Sequence, residues 1–188
     1  MQFLEILIIR ILKMYGLAVF SGGTFAGELS PLENVFHLII SNRFDSTILN
    51  IPSPFADSEY ISLSITSAKS KNKVKIINGS PLISCDVKID ARVLSSTSNS
   101  NHLNDKNFWY IEDYANSYFK AELEDYLYKT SVLLHSDIDK FGKYAVKSFS
   151  TWNEWEDYNW LNNYSNSFFD VNVNTSIKSS YLILEDTD

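Results

Sequence analysis

Apolar side chains return at helical spacing between Phe108 and Leu134: Ile111, Tyr114, Ala115, Tyr118, Phe119, Leu123, Tyr126, Leu127, Leu133 and Leu134. Steps of three and four residues place them on one broad face, so the spacing predicts a helix from about Asn107 to about Leu134. Glu112 and Asp113 stand in its early turns and Lys129 and His135 at its end, each complementing the dipole end it lies near. Asp125 precedes Lys129 by four residues, the favoured order for an exposed ion pair. A rod of ~40 Å at 1.5 Å per residue cannot cover so wide a face alone, and a flat layer must be supplied by the rest of the chain.

Period-two patterns on both sides of the rod supply that layer. The segments 16–20 and 24–29 flank Ser21-Gly22-Gly23 and predict a β-hairpin. Ser30-Pro31-Leu32-Glu33 then combines an N-cap, a proline at the first helical position and a glutamate three residues after the cap. The helix it opens carries Leu32, Val35, Phe36 and Ile39 inward and ends near Asn42. Thr47 to Ile51 reads as a strand, and Tyr60 to Thr66 as another that alternates serine with Ile61, Leu63 and Ile65. Ser67 to Lys73 is polar and basic and interrupts the pattern, which Val74 to Ile77 resumes before an Asn78-Gly79 turn. Leu82 to Leu94 places Ile83, Cys85, Val87, Ile89, Ala91 and Val93 on one side, and an antiparallel meander is the simplest pairing.

Ser95 to Asn107 lacks apolar periodicity and reads as a mobile loop leading into the long helix. Beyond that helix, Ser136-Asp137 predicts a cap for a second helix from about Ile138 to Phe149, and Thr151 caps a further short turn. Trp152, Trp155, Tyr158 and Trp160 form an aromatic patch. Val171, Val173, Thr175 and Ile177 alternate with polar residues in a half-buried last strand within 168–184. The predicted class is α+β: an antiparallel β-sheet packed against a long α-helix in the C-terminal half, with shorter helices beside it.

Composition agrees with a folded chain. Of 188 residues, 45% are hydrophobic and 14% aromatic, which sets the chain apart from disordered sequences and suits one domain. A net charge of -7 leaves no basic excess to displace counterions from a phosphate backbone, so nucleic acid is not an expected partner. Cys85 is the single cysteine and reads as a small apolar side chain in a strand. Leu82-Ile83-Ser84-Cys85 has the look of a lipobox, but it lies deep in the chain behind many charges. Glu5, Arg10 and Lys13 interrupt the apolar N-terminus, so no run approaches the ~20 residues of a membrane span.

Candidate chemistry is sparse. Asp137-Ile138-Asp139-Lys140-Phe141-Gly142 begins like an EF-hand loop, but Phe141 stands at the fifth position and Ser148 at the twelfth, where oxygen ligands are required. His37, His102 and His135 share no zinc spacing. Neither a G-x-S-x-G elbow nor a phosphate-binding glycine loop occurs. Glu122 with Glu124, and Glu154 with Glu156, read as solvated helix faces. The aromatic patch fits core or subunit contact, with stacking on a sugar or base as the sharper alternative. No metal, cofactor or catalytic set is expected.

The order of segments carries a resemblance. Gly16-Leu17-Ala18-Val19-Phe20, then Gly27-Glu28-Leu29, then the long helix ending in His135-Ser136-Asp137-Ile138-Asp139-Lys140-Phe141-Gly142, then tryptophans, then Phe169-Asp170-Val171-Asn172-Val173 resembles the C-terminal domain of the Ger(x)C spore germination proteins. These are the C subunits of germinant receptors in endospore-forming bacteria. The resemblance runs from about Tyr15 to about Leu184. It implies a non-enzymatic docking or scaffold domain acting with membrane A and B subunits, on the outer face of the inner spore membrane. It also implies a lipid anchor on a cysteine that this sequence lacks, so residues 1–14 read as an atypical leader before a domain spanning 15–188, and the chain as a fragment. The motif positions carried over are structural: Gly16, Phe20, Gly27, Asp137, Phe141, Gly142, Trp152 and Trp160. The alternative function is a small-ligand or glycan-binding module using the aromatic patch, and a hydrolase with scattered carboxylates ranks behind both.

Overall fold

The computed structural model describes residues 16–96 and 108–178, so the leader and residues 97–107 of the expected loop lie outside the described residues, while Ser95 and Ser96, expected in that loop, instead continue a strand paired to Ser62 and Ile61. A two-stranded antiparallel hairpin, β1 (Leu17–Ser21) and β2 (Thr24–Leu29), opens the fold. Helix α1 (Pro31–Ile40) follows at once, because Ser30 completes a capping box: Ser30 Oγ accepts from Glu33 N at 3.2 Å and Ser30 N donates to Glu33 Oε2 at 2.6 Å. Four strands then form the main sheet in the order β3 (Thr47–Pro52), β4 (Tyr60–Ile77), β5 (Ser80–Ser96) and β6 (Phe168–Lys178). The helices pack on its inner face, the α+β arrangement expected.

Two features of the sheet depart from the sequence reading. β4 is one continuous strand through Ser67–Lys73, with an irregularity between Ile65 and Ser67. The extra residue there changes which parity points inward, so Ile61, Leu63 and Ile65 share a face with Ala68 and Ser70, while Lys69 and Lys71 point out. Polar residues at inner positions hid this strand, and the end of α1 satisfies them. Asn42 Nδ2 donates to Ser70 O at 2.8 Å, Ser70 N donates to Asn42 Oδ1 at 2.9 Å, and Asn72 Nδ2 donates to Ile40 O at 2.8 Å. The first three strands are antiparallel, but β6 pairs parallel to β5. The helical layer between them acts as a crossover that returns the chain to the same end of the sheet.

Helix α2 (Phe108–Tyr128) lies along β6 and continues through a π-helical turn over Lys129–Leu133. Ile111, Ala115, Phe119, Leu123 and Leu127 recur every fourth residue and are fully buried against Ile83, Cys85, Val87, Ile89 and Val171 in one core. Each large side chain so buried contributes about 1.5–3 kcal/mol. Two side chains of α2 also occupy the outer edge of β6: Thr175 N donates to Asn116 Oδ1 and Ile177 N to Glu112 Oε1, both at 2.7 Å. The π turn adds a residue to the helical repeat, so spacing counted from the α segment fails beyond it. Leu133, expected on the apolar face, is 61% exposed, and Thr130 and Ser131 are buried with their hydroxyls donating to Leu127 O. Lys129 bonds Glu33 of α1 at 2.7 Å rather than Asp125.

The helix expected over 138–149 is replaced by a turn, a short α3 (Gly142–Ala145) and a 3₁₀ turn over Val146–Ser148. α4 (Trp152–Tyr158) is capped by Thr151 and Glu154 as expected, and α5 (Trp160–Tyr164) follows across Asn159, whose φ of 50° is left-handed.

Candidate functional site

The motif positions from both ends of the chain meet at one corner, where the hairpin docks on the end of α2 and on the 135–142 turn. Ser136 Oγ donates to Phe20 O and Ser21 Oγ to His135 O, each at 3.0 Å, which ties β1 to the turn across more than a hundred residues. Gly27 makes the approach possible, since a Cβ there would lie 2.6 Å from Leu134 Cδ2. At Gly16 a Cβ would lie 2.0 Å from Leu29 O, inside the paired hairpin. The Phe20 ring faces outward, 58% exposed, edge-on to Phe25 at 5.9 Å.

Asp137 is the hub of the turn. Its carboxylate accepts from Phe141 N at 2.8 Å, from Gly142 N at 2.7 Å and from the Trp160 indole Nε1 at 2.8 Å. A Cβ on Gly142 would meet Trp160 Nε1 at 2.9 Å, so the indole reaches the carboxylate only over a glycine. Phe141 is fully buried, its ring 6.2 Å from Tyr164. Asp137 thus caps a turn that delays the expected helix to Gly142, and it shares one bonded unit with Gly142 and Trp160.

Behind this turn lies a polar network that the sequence did not mark. Asp139, 7% exposed, accepts from Tyr126 OH at 2.7 Å and pairs with His37 Nδ1 at 2.9 Å. Arg43 Nη2 lies 2.6 Å from His37 Nε2 and can only donate, so Nε2 accepts and the ring proton sits on Nδ1, facing Asp139. Burial pushes the Asp139 carboxyl above its usual range, and the hydrogen bonds from His37 and Tyr126 offset that only in part. Burial, reinforced by the Asp139 charge, likewise raises the Tyr126 hydroxyl. His37 and Asp139 have the outline of a catalytic dyad, but the nitrogen that would act as base is held by Arg43. The available clue was His37 itself, one residue beyond Phe36 on the inner side of α1, where a histidine needs a partner.

The tryptophans divide. Trp155 stacks on Trp160 at 5.9 Å and on Tyr158 at 6.5 Å, and Phe149 lies 4.9 Å from Tyr158. Trp152 stands apart, 64% exposed, with its indole N–H donating to Glu156 Oε1 at 2.6 Å. Most of the aromatic patch therefore packs on itself. Burial, with the charges of Asp139, Asp86 and Asp170, pushes the Cys85 thiol up to about 12, so it is an inert core group.

Asp137 and Asp139 both face protein donors rather than a shared cation position, and among the described residues no group of histidine, cysteine and carboxylate side chains could hold a metal. No helix among them is long and apolar enough to cross a membrane.

Comparison with known proteins agrees with this architecture. The family described as spore germination B3/GerAC like, C-terminal, matches residues 15–181. The crystal structure of the GerBC protein superposes with a TM-score of 0.72 at 16% identity, over 86% of this chain and 50% of that one. That likeness shows the fold, and the chain spans half the length of GerBC. No curated protein sequence matches it.

Proposed function

We propose a function from one premise: the chain belongs to the spore germination B3/GerAC-like C-terminal family, whose match covers residues 15–181. It is a domain of the germinant-receptor C-subunit type. On that footing the domain serves as a non-enzymatic docking element that holds the membrane A and B subunits of a receptor in nutrient-triggered germination, at the inner spore membrane. The match across nearly the whole domain carries the reading. The corner supports it chemically, because Asp137, Gly142 and Trp160 lock a shape, and His37, Asp139 and Tyr126 spend their polar atoms on one another. Residues of this kind set a surface for contact.

Deletion of the gene in a spore former tests the role. Germination monitored by loss of optical density should fail for at least one amino acid, sugar or nucleoside germinant. A deletion strain that responds normally to every such germinant refutes it.

A further inference from the structure

The four-stranded sheet is covered by helices on its inner face, and its outer face is basic. Every second residue of β4 from Lys69 to Lys75 is an outward lysine; β5 adds Lys88 and Arg92 and β6 adds Lys178. Against these seven cations stand three outward carboxylates, Asp86, Asp90 and Asp170, a surplus of four. The whole chain carries -7, so all residues off this face together carry -11. Register sets Lys71 opposite Asp86, but it also sets Lys69 directly opposite Lys88, and Arg92 opposite Lys178. Like charges facing each other across a ladder destabilise a sheet. No carboxylate of the described residues lies within ion-pairing distance of any of the seven. Lysine often guards an edge strand, but Lys88 sits mid-way along β5, which is paired on both sides. A local rule broken at the centre of a sheet marks a surface kept for another purpose.

Shape and spacing indicate what it meets. Lys69, Lys71 and Lys88 line a trough of about 650 Å³ together with Asp86, Asn172 and Asn174, three cations to one carboxylate, while Asn42 at its border spends its carboxamide on the Ser70 backbone. Lysines two apart on a strand repeat every ~6.7 Å, the repeat of alternate side chains in any other extended chain. Carboxamides present both a donor and an acceptor, the pair a peptide backbone requires. We propose that the outer face of the β3–β6 sheet is a docking surface for an acidic polypeptide segment bound in extended form, its carboxylates over the lysine rows and its backbone against the trough amides. The inference stands independently of the receptor role, since it rests on this chain's own charges.

The test is fluorescence anisotropy of a labelled twelve-residue poly-glutamate peptide titrated with the full chain at low and physiological salt. Binding should weaken with salt, and K69E/K88E should lose at least tenfold in affinity, whereas K120E, the same change on the helix layer, should bind as the parent does. In the absence of peptide, K69E should raise the Tm by about 1–3 °C, because it turns a like-charged cross-strand pair into an opposite one. K69E/K88E puts two like charges opposite each other again, as in the parent, and should melt within about 2 °C of the parent, which excludes misfolding as the cause of lost binding. No binding of poly-glutamate, or equal affinity of K69E/K88E, overturns the proposal. Binding only to vesicles of phosphatidylcholine and phosphatidylglycerol at 7:3, with none to the peptide, also overturns it in favour of a lipid surface.

Discussion

Replacing Asp137 by alanine removes one carboxylate and strands three donors at once. The Phe141 amide and the Trp160 indole belong to buried residues, and the Gly142 amide is half-buried, so water replaces the lost acceptor poorly. A hydrogen bond to a charged group contributes about 1.5–3 kcal/mol, and the half-buried donor recovers part of its share from solvent. The expected loss for Asp137→Ala is therefore about 3–5 kcal/mol, a large part of the ~5–15 kcal/mol that holds a domain of this size. Trp160→Phe removes one of the three bonds and should lose about 1.5–3 kcal/mol. Since both changes break the same contact, the double variant should fall short of the sum by about 1–2 kcal/mol. Urea unfolding followed by far-ultraviolet circular dichroism gives each value, with the slope m checked for constancy. Strict additivity of the two changes, or a loss below ~1 kcal/mol for Asp137→Ala, would refute the view of this corner as one bonded unit.

Two further outcomes follow from the same packing. Leu133→Ser should change stability by less than ~0.5 kcal/mol, while Leu123→Ala should lose about 2–5 kcal/mol; comparable losses would mean that the π turn does not rotate Leu133 out of the core. Asp139 has a folded-state pKa above its ordinary 3.8, so between these values the folded chain binds more protons than the unfolded one and stability falls as pH rises. Asp139→Asn removes that dependence, and the difference in Tm between parent and variant, scanned upward from pH 3, should change in favour of the variant across this window. A difference independent of pH would show that the carboxyl is not perturbed.

What the sequence disclosed was periodicity wherever one face is uniformly apolar. α2 recurs at fours from Ile111 to Leu127, β5 at twos from Ile83 to Val93, and the Ser30 and Thr151 caps satisfy their own helices locally, so all were legible. The unread parts depend on partners distant in the chain. Ser70 and Asn72 sit inside β4 because α1 ends beside them, and Leu133 turns outward because a π turn absorbs a residue. The parallel pairing of β6 follows from the path of the intervening helices, which no strand pattern records. At the corner, Asp137 was legible as a cap, but its bond to Trp160 joins residues 23 apart in sequence and needed the fold. The His37–Asp139 contact spans 102 residues and left only an inward histidine as its trace.

The central claim is contact with the membrane subunits of a germinant receptor. The most direct measurement is affinity purification of the full-length, tagged protein from detergent-solubilised inner spore membranes, with mass spectrometry of what remains bound. The account predicts that the A and B subunits co-purify with the parent protein and are depleted with Asp137→Ala. Recovery of the tagged protein in folded form without either subunit would contradict it.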